Sequence, residues 1–236
     1  YADSMWRKMY TSEVKPDQGY VYSDIDFYIL QKVVEHITQQ PLDRYVTEHF
    51  YKPMGLMRTG YTPLNWYEKR QIAPTEDDKI FRKQTVRGYV HDPGAAMYGG
   101  VAGHAGLFSN AVDLAQIMQM LLNGGTYNGK RFLSANTIAL FTKQHSAVSR
   151  RGLGFDKPES DPNKKPNMWE GAHLSVFGHT GFTGTCVWSD PANQLTFVFL
   201  SNRVYPDAEN PKLVRMNIRG DLQRIINRAV KPKQTK

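Results

Sequence analysis

Cysteine is almost absent from this chain of 236 residues, which contains only Cys186. A single cysteine excludes a disulfide scaffold and any zinc site that needs several thiolates from one chain. Cys186 falls in a predicted strand, where we expect it to be buried. Long hydrophobic runs are also lacking, since the longest, at 195–200, falls far short of the ~20 apolar residues that cross a bilayer. The sequence therefore predicts no transmembrane segment, while 40% hydrophobic and 12% aromatic residues are typical of a folded core.

Acidic residues are scarce at the C-terminal end, and this explains the net charge of +8. Residues 211–236 contain eight basic residues against one acidic residue, so they carry +7 of that charge. A basic helix can bind nucleic acid or a membrane surface. The apolar residues of the segment, however, form a helical stripe that favours packing on a sheet, with a frayed tail at 231–236: Leu213, Val214, Ile218, Leu222, Ile225, Ile226 and Ala229. We therefore expect no nucleic-acid partner.

The sequence also begins without an initiator methionine, a signal peptide or a tag. Its first residues resemble the middle of a domain. We therefore expect the chain to be the later part of a longer polypeptide.

Periodicity and turn residues divide the chain into helices followed by strands. Helices are predicted at 24–39, 42–50, 110–122 and 135–143, the first capped by Ser23 or Asp24 and the second ended by Pro53 and Gly55. The region 61–88 is expected to be irregular. Strands are predicted at 174–179, 183–189 and 194–201, with a turn at 190–193, and a last helix begins at Leu213. This order predicts an α+β fold, with a mainly helical region at 1–170 and a strand region at 171–236 in one incomplete domain.

Three motifs carry candidate catalytic residues. Residues 22–24 read Tyr-Ser-Asp ahead of a helix, residues 103–109 read Gly-His-Ala-Gly-Leu-Phe-Ser, and residues 178–185 read Gly-His-Thr-Gly-Phe-Thr-Gly-Thr in a predicted strand. In this order the set resembles the serine β-lactamase and penicillin-binding-protein superfamily, in its class C-like branch. The resemblance covers essentially the whole chain. The residues of the second and third motifs are similar to those of the β-lactamase-like module that some bacteria fuse to a family-3 glycoside hydrolase.

The resemblance implies a β-lactamase/transpeptidase-like fold and a serine hydrolase that works by acyl transfer, without a cofactor. Its substrates would be amides or esters, such as cell-envelope peptides or β-lactams, in an extracytoplasmic location. Tyr22 would be the proton-relay phenol, and His179 with Thr180 would bind substrate and tune Tyr22. The N–H of Phe182 would be an oxyanion-hole donor, and Gly181 would let substrate approach the strand backbone.

Asp24 departs from the pattern of that family, where asparagine is common. An ionised aspartate accepts hydrogen bonds but cannot donate one to a substrate carbonyl. This weakens the case for efficient β-lactam hydrolysis. We expect Asp24 to belong to the substrate-binding site and to pair with the lysine of the nucleophile motif.

The nucleophile is the missing part of this pattern. Ser12 to Lys15 matches Ser-x-x-Lys, but Pro16 follows directly and disfavours a continuing helix. The neighbourhood is also polar, and Ser12 stands only ten residues before Tyr22. No Gly-x-Ser-x-Gly elbow occurs either. We therefore expect the nucleophile upstream of Tyr1, or, as an alternative, a catalytically inactive peptidoglycan-binding module attached to an N-acetylglucosaminidase.

Plainer interpretations exist for individual residues. Tyr22 alone is compatible with a buried tyrosine before a helix cap, and His179 with an ordinary strand histidine. His104 is expected to be structural, holding backbone near the site. The pair His91-Asp92 is compatible with a dyad or with metal ligands, but the sequence has no His-Glu-x-x-His and no second ligand cluster, so we expect no metal site.

Overall fold

The computed structural model describes residues 2–14, 16 and 19–230. Lys15 of the Ser-x-x-Lys string and the predicted frayed tail at 231–236 lie outside the described residues. Contacts divide the chain into two compact units, Tyr1–Ser109 with Val204–Ala208, and Asn110–Arg203 with Glu209–Lys236. The predicted division at residue 170 followed composition rather than contacts, and it stays a prediction. Among the described residues, none of the helices combines the length and hydropathy that a membrane span requires.

The first unit is mainly helical. Its helices are α1 Ala2–Tyr10, α2 Ile25–Thr38, α3 Leu42–Val46, a π-helical turn Thr47–Tyr51, α4 Lys52–Met54 and α5 Pro93–Met97. The predicted helix at 24–39 is confirmed to within a residue. The predicted helix at 42–50 continues through α4, so Pro53 lies inside its last turn and the chain leaves the helix at Gly55.

Helix α2 buries only part of its apolar surface. Tyr28 and Gln31 are its buried residues, whereas Ile29, Val33 and Ile37 are exposed. Gln31 binds the glycine-rich loop, because its Nε2 donates to the carbonyl of Val101 (3.3 Å) and its Oε1 accepts from an N–H of the same loop (3.0 Å). The Gln31 side chain and the Tyr28 ring therefore help to dock α2 on the described part of this unit.

The expectation that 61–88 is irregular is wrong, because this segment contains an antiparallel hairpin. Strands β1 Pro74–Asp78 and β2 Gln84–Arg87 pair with each other. The buried Asp78 shapes the turn, since its carboxylate accepts from the N–H groups of residues 80, 81 and 82 and from Arg82 Nε (2.9 Å). Burial opposes ionisation of Asp78, but these hydrogen bonds outweigh it and hold the pKa of the carboxyl well below its usual range.

The second unit contains the main sheet. Its elements are α6 Ala111–Leu122, β3 Thr126–Tyr127, β4 Lys130–Arg131, α7 Ala135–Thr142, β5 Phe177–Thr180, β6 Cys186–Asp190, β7 Leu195–Phe199, α8 Lys212–Arg215 and α9 Ile218–Ala229. Strands β5, β6 and β7 form an antiparallel sheet in that order, with His179 opposite Val187 and Trp188 opposite Phe197. The predicted antiparallel strands and the α+β class are confirmed.

Helices cover both faces of this sheet. Ser189 Oγ donates to the carbonyl of Met118 on α6 (3.3 Å), while Gln223 of α9 contacts Cys186. Residues 186 and 189 point to opposite faces because strand side chains alternate. The face toward α9 holds the apolar core of the unit, in which Cys186 is buried as predicted: Met168, Trp169, Val176, Cys186 and Trp188.

The predicted stripe of the last helix is only partly the packing face. Helix α9 buries Gly220 and Gln223, whereas Val214 on α8 and Ile225 on α9 are exposed. Arg219 of α9 also makes a polar contact, because its Nη1 donates to the carbonyl of Thr185 (3.0 Å). The closing helix therefore docks through polar contacts as well as apolar ones.

Candidate active site

The Tyr-Ser-Asp motif forms the start of α2. Ser23 Oγ accepts from the N–H of Ile25 (3.2 Å). Asp24 occupies the N-cap position, but its side chain makes no capping hydrogen bond. Tyr22 is 53% exposed. The serine side chain therefore accepts a hydrogen bond from a backbone N–H at the start of the helix, and the Asp24 carboxylate is not used for capping.

Asp24 belongs to a cluster with Asp92 and His104 that no single motif predicted. One carboxylate oxygen of each aspartate and one ring nitrogen of His104 all lie within 4.8 Å of one another. His104 Nε2 is 2.9 Å from Asp92 Oδ1, and the same oxygen accepts from the N–H of Ala95 (2.6 Å) to cap α5. Gly103 allows this approach, since a Cβ there would collide with the carbonyl of Phe27.

The cluster is electrostatically coupled to the buried phenol of Tyr28. The hydrogen bond from His104 lowers the pKa of Asp92 against the effect of burial. Burial first, and then the charges of Asp92 and Asp24, raise the pKa of Tyr28 to about 12. Tyr28 therefore stays protonated at neutral pH, and its ring lies 4.4 Å from that of His104.

Two carboxylates and an imidazole are donors that a divalent cation accepts. Asp92 Oδ1, however, already accepts two hydrogen bonds, from His104 and from the N–H of Ala95, so in this arrangement His104 and Asp92 form a hydrogen-bonded pair near Asp24. His91 and Asp92 are adjacent in the sequence but contact different side chains. His91 Nε2 lies 3.4 Å from Glu76, while Asp92 contacts His104. His104 is 5% exposed at its side chain and holds the glycine-rich loop on α2, as expected of a structural residue.

The His-Thr-Gly motif lies on β5, the edge strand of the main sheet. The N–H of Asp156 donates to the carbonyl of Gly178 (2.7 Å), and the N–H of Gly178 donates to the carbonyl of Asp156 (3.1 Å). Backbone groups two residues apart in a strand face the same side. The main chain of Thr180 therefore faces the same outer edge of the sheet, one step beyond the Asp156 bridge.

The turn after β5 is fixed by Arg203. The N–H of Gly181 donates to the carbonyl of Thr185 (2.8 Å), which closes the turn. Arg203 Nε donates to the carbonyl of Phe182 (3.0 Å), and its guanidinium lies 4.9 Å from the centre of the Phe182 ring, which is 67% exposed. The carbonyl of Gly181, which shares its peptide unit with the Phe182 N–H, accepts from the N–H of Gly184 (3.0 Å), so this unit is held in one orientation, as a preorganised donor needs to be.

Sequence reasoning missed the charged network beside His179. Arg150 binds the buried Asp156 carboxylate through Nε (2.8 Å) and Nη2 (2.9 Å). Arg151 Nη2 is 3.5 Å from the same carboxylate, and Arg151 Nη1 is 2.7 Å from His179 Nε2. Lys157 is buried next to this pair, and burial lowers the pKa of its ammonium. Arg151 lies in a polar loop 28 residues before His179, and no local signal in the sequence links the two.

The predicted site residues thus fall into two groups. Tyr22 and Asp24 belong to the first unit, and residues 179–182 form a continuous stretch in the second. The catalytic roles of Tyr22, His179 and Phe182, and the substrate-binding roles of Asp24, Thr180 and Gly181, stay predictions.

Known proteins match this chain in sequence. A family model described as Beta-lactamase matches residues 1–217. A protein of Escherichia coli K12, provisionally named D-alanyl-D-alanine carboxypeptidase, is 40% identical over 213 residues, which cover 85% of this chain and 49% of that protein. This chain therefore spans about half the length of the curated relatives that it matches.

Two solved structures have the same fold at low identity. A beta-lactamase from Mycobacterium bovis has a TM-score of 0.53 at 20% identity, covering 86% of this chain and 66% of that chain. A penicillin-binding protein homologue from Caulobacter crescentus has a TM-score of 0.55 at 19% identity, covering 80% of this chain and 54% of that chain.

Proposed function

The chain belongs to the beta-lactamase family, and from this premise we propose that it carries part of the active site of an acyl-transferring serine hydrolase. The substrates are amide or ester bonds, most specifically peptides of the bacterial cell envelope that end in a D-amino acid, at an extracytoplasmic location. The name given to the Escherichia coli relative supports this substrate class. The attached family-3 glycoside hydrolase stays a prediction.

The observation that carries the proposal is the edge position of β5. Thr180 turns its backbone groups to the outer side of the sheet, next to the bridge between Gly178 and Asp156. An extended peptide can add to such an edge by main-chain hydrogen bonds, which would place its scissile carbonyl near the Phe182 N–H. The N–H of Gly184 holds the carbonyl of Gly181 (3.0 Å), in the same peptide unit as the Phe182 N–H, so the donor is oriented before substrate arrives.

In the proposed reaction a serine Oγ attacks the peptide carbonyl and forms the acyl-enzyme. The serine proton passes to a base that includes the Tyr22 phenol and from there to the departing amine. Water then cleaves the ester and regenerates the serine. We propose that this serine belongs to a Ser-x-x-Lys segment upstream of Tyr1 and that Asp24 pairs with its lysine.

Release of D-alanine from an N-acyl-D-alanyl-D-alanine peptide tests the function in a polypeptide extended upstream of this chain. Tyr22→Phe should lower kcat by about 10²- to 10⁴-fold, the usual contribution of a positioned proton-transfer group. The matched control is Tyr20→Phe, two residues earlier and also exposed, which should keep activity within about threefold. Absence of release and of penicillin labelling by the wild type would refute the hydrolase and favour the inactive peptidoglycan-binding module.

The Asp24 hypothesis has its own test. Asp24→Asn removes the negative charge that would stabilise the ammonium form of the lysine, so the pH profile of acylation should shift to lower pH. An unchanged acylation rate and profile would show that Asp24 does not pair with that lysine.

A further inference from the structure

The last helix, α9, carries an apolar stripe on the side away from its packing face. Residues three or four apart lie on one face of a helix, so Leu222, Ile225 and Ala229 form one stripe. Leu222 is 37% exposed and Ile225 is 58% exposed, and Ala229 is exposed as well. At about 100° of rotation per residue, the buried Gly220 and Gln223 fall on the opposite face. The stripe therefore points away from the sheet on which α9 packs.

Positive charge accompanies this stripe. Arg228 lies three residues after Ile225, and therefore beside it on the helix surface. Arg228 is exposed, and no ion pair joins it to another of the residues that the structure describes. Arg224 contacts Asp221 (3.0 Å), which is the one acidic residue in the sequence from 211 to 236. The segment as a whole keeps a net charge of +7.

This combination of apolar and cationic side chains indicates what covers the stripe. A helix face that meets only water carries polar residues. Helices that lie in the interface of a membrane instead carry apolar side chains at headgroup depth, with arginines and lysines beside them. A second copy of the chain would bring two sets of like charges together, and their repulsion opposes such a dimer. An anionic lipid surface attracts the same charges.

We propose that α9 binds the surface of a bilayer that contains anionic lipids. Leu222 and Ile225 enter the headgroup region, and Arg228 contacts a lipid phosphate. The helix keeps its packing on the sheet, because Gly220 and Gln223 lie on its other side. This binding requires no hydrolase activity and is therefore tested without turnover.

Sedimentation with lipid vesicles measures this binding for the 236-residue chain and for the polypeptide extended upstream. Both should bind vesicles that contain phosphatidylglycerol, dissociate at high salt, and bind vesicles of phosphatidylcholine alone much more weakly. Ile225→Ser should lower the partition coefficient about tenfold, the usual effect of losing one buried aliphatic side chain. Arg228→Gln should lower it about fivefold, the effect of one cation near the surface.

The matched controls are Val112→Ser on α6 and Arg131→Gln on β4, which are also exposed and should leave binding unchanged. All four variants should keep the urea midpoint of the wild type, because the substituted residues are exposed. Equal binding to the two kinds of vesicle would overturn the proposal. Binding that Ile225→Ser and Arg228→Gln leave intact would also overturn it.

A fluorescent probe tests which face meets the lipid. Ile225→Cys, labelled with an environment-sensitive fluorophore, should shift its emission to the blue with phosphatidylglycerol vesicles, whereas Val112→Cys should not. Cys186 is buried and escapes the label. Unchanged emission at residue 225 would overturn the proposal. Vesicle binding that the extended polypeptide lacks would overturn it as well, because the upstream part would then cover the stripe, and self-association that Ile225→Ser abolishes, without vesicle binding, would assign the stripe to a second copy.

Discussion

Removing the Asp156 carboxylate should destabilise the second unit more than any surface charge substitution. The Asp156 side chain is 7% exposed and accepts three bonds of 2.8 to 2.9 Å, two from Arg150 and one from the N–H of Lys157. Asp156→Ala leaves the Arg150 guanidinium, 27% exposed, without its main partner. Breaking a buried pair from one side costs about 3–5 kcal/mol. Against a typical total of about 5–15 kcal/mol, this is a large loss.

The assay is urea unfolding followed by tryptophan fluorescence, since Trp169 and Trp188 are buried in the core of this unit. The matched control is Asp221→Ala, which breaks a single 3.0 Å contact with Arg224 in which both side chains are more than 40% exposed. Such surface pairs contribute about 0–1 kcal/mol. If the free energies of unfolding of the two variants agree within about 1 kcal/mol, the reasoning about the buried network is refuted.

Three further predictions follow from the structure. Because the pKa of Asp78 is depressed in the folded state, its contribution to stability is complete above the unfolded pKa of about 4 and is lost as the pH falls through the lower folded pKa. The urea midpoint of Asp78→Asn should therefore fall less between pH 5 and 2.5 than the midpoints of the wild type and of Asp77→Asn, and parallel curves would contradict this. Burial raises the pKa of the Cys186 thiol to about 11, so Ellman's reagent at pH 8 should react roughly 10²-fold more slowly than with a small thiol until urea unfolds the chain; a fast native reaction would contradict the buried position. A Cβ at Gly178 would collide with the Val187 carbonyl, so Gly178→Ala should cost at least about 2 kcal/mol, against about 1 kcal/mol for Gly129→Ala, which has open space but a φ of 74°; equal thermal shifts would contradict the close approach.

Local signals in the sequence were sufficient where local bonds define an element. Asn110 caps the predicted helix at 110–122, since its side chain accepts from the N–H of Asp113. The predicted turn between β6 and β7 is held by Asp190, whose Oδ1 accepts from the N–H groups of Ala192 and Asn193. Both follow from residues two or three apart, as capping and Asx turns do.

Elements that depend on distant partners were missed. The hairpin of β1 and β2 has a proline and four polar residues in its first strand, which is poor β-forming composition. It is stabilised by Arg82, which donates to the carbonyls of Val90 (2.6 Å) and His91 (2.7 Å). Composition alone does not reveal such bonds.

The residues of the candidate site also differ in whether the local sequence reveals them. His179 and Tyr22 stand in short motifs that a reader of the sequence can find. The contacts of Arg151 and Asp92 form only in the folded chain. Arg151 contacts His179, which is 28 residues away in the sequence, and Asp92 contacts His104, which is 12 residues away.

The site of acylation tests the central claim most directly. A polypeptide extended upstream of Tyr1 is treated with a fluorescent penicillin, digested and mapped by mass spectrometry, beside the 236-residue chain and Tyr22→Phe. The account predicts one acyl adduct on the serine of an upstream Ser-x-x-Lys segment, none on the 236-residue chain, and strongly reduced labelling in Tyr22→Phe. An adduct on Ser12, or labelling that Tyr22→Phe leaves unchanged, would contradict it.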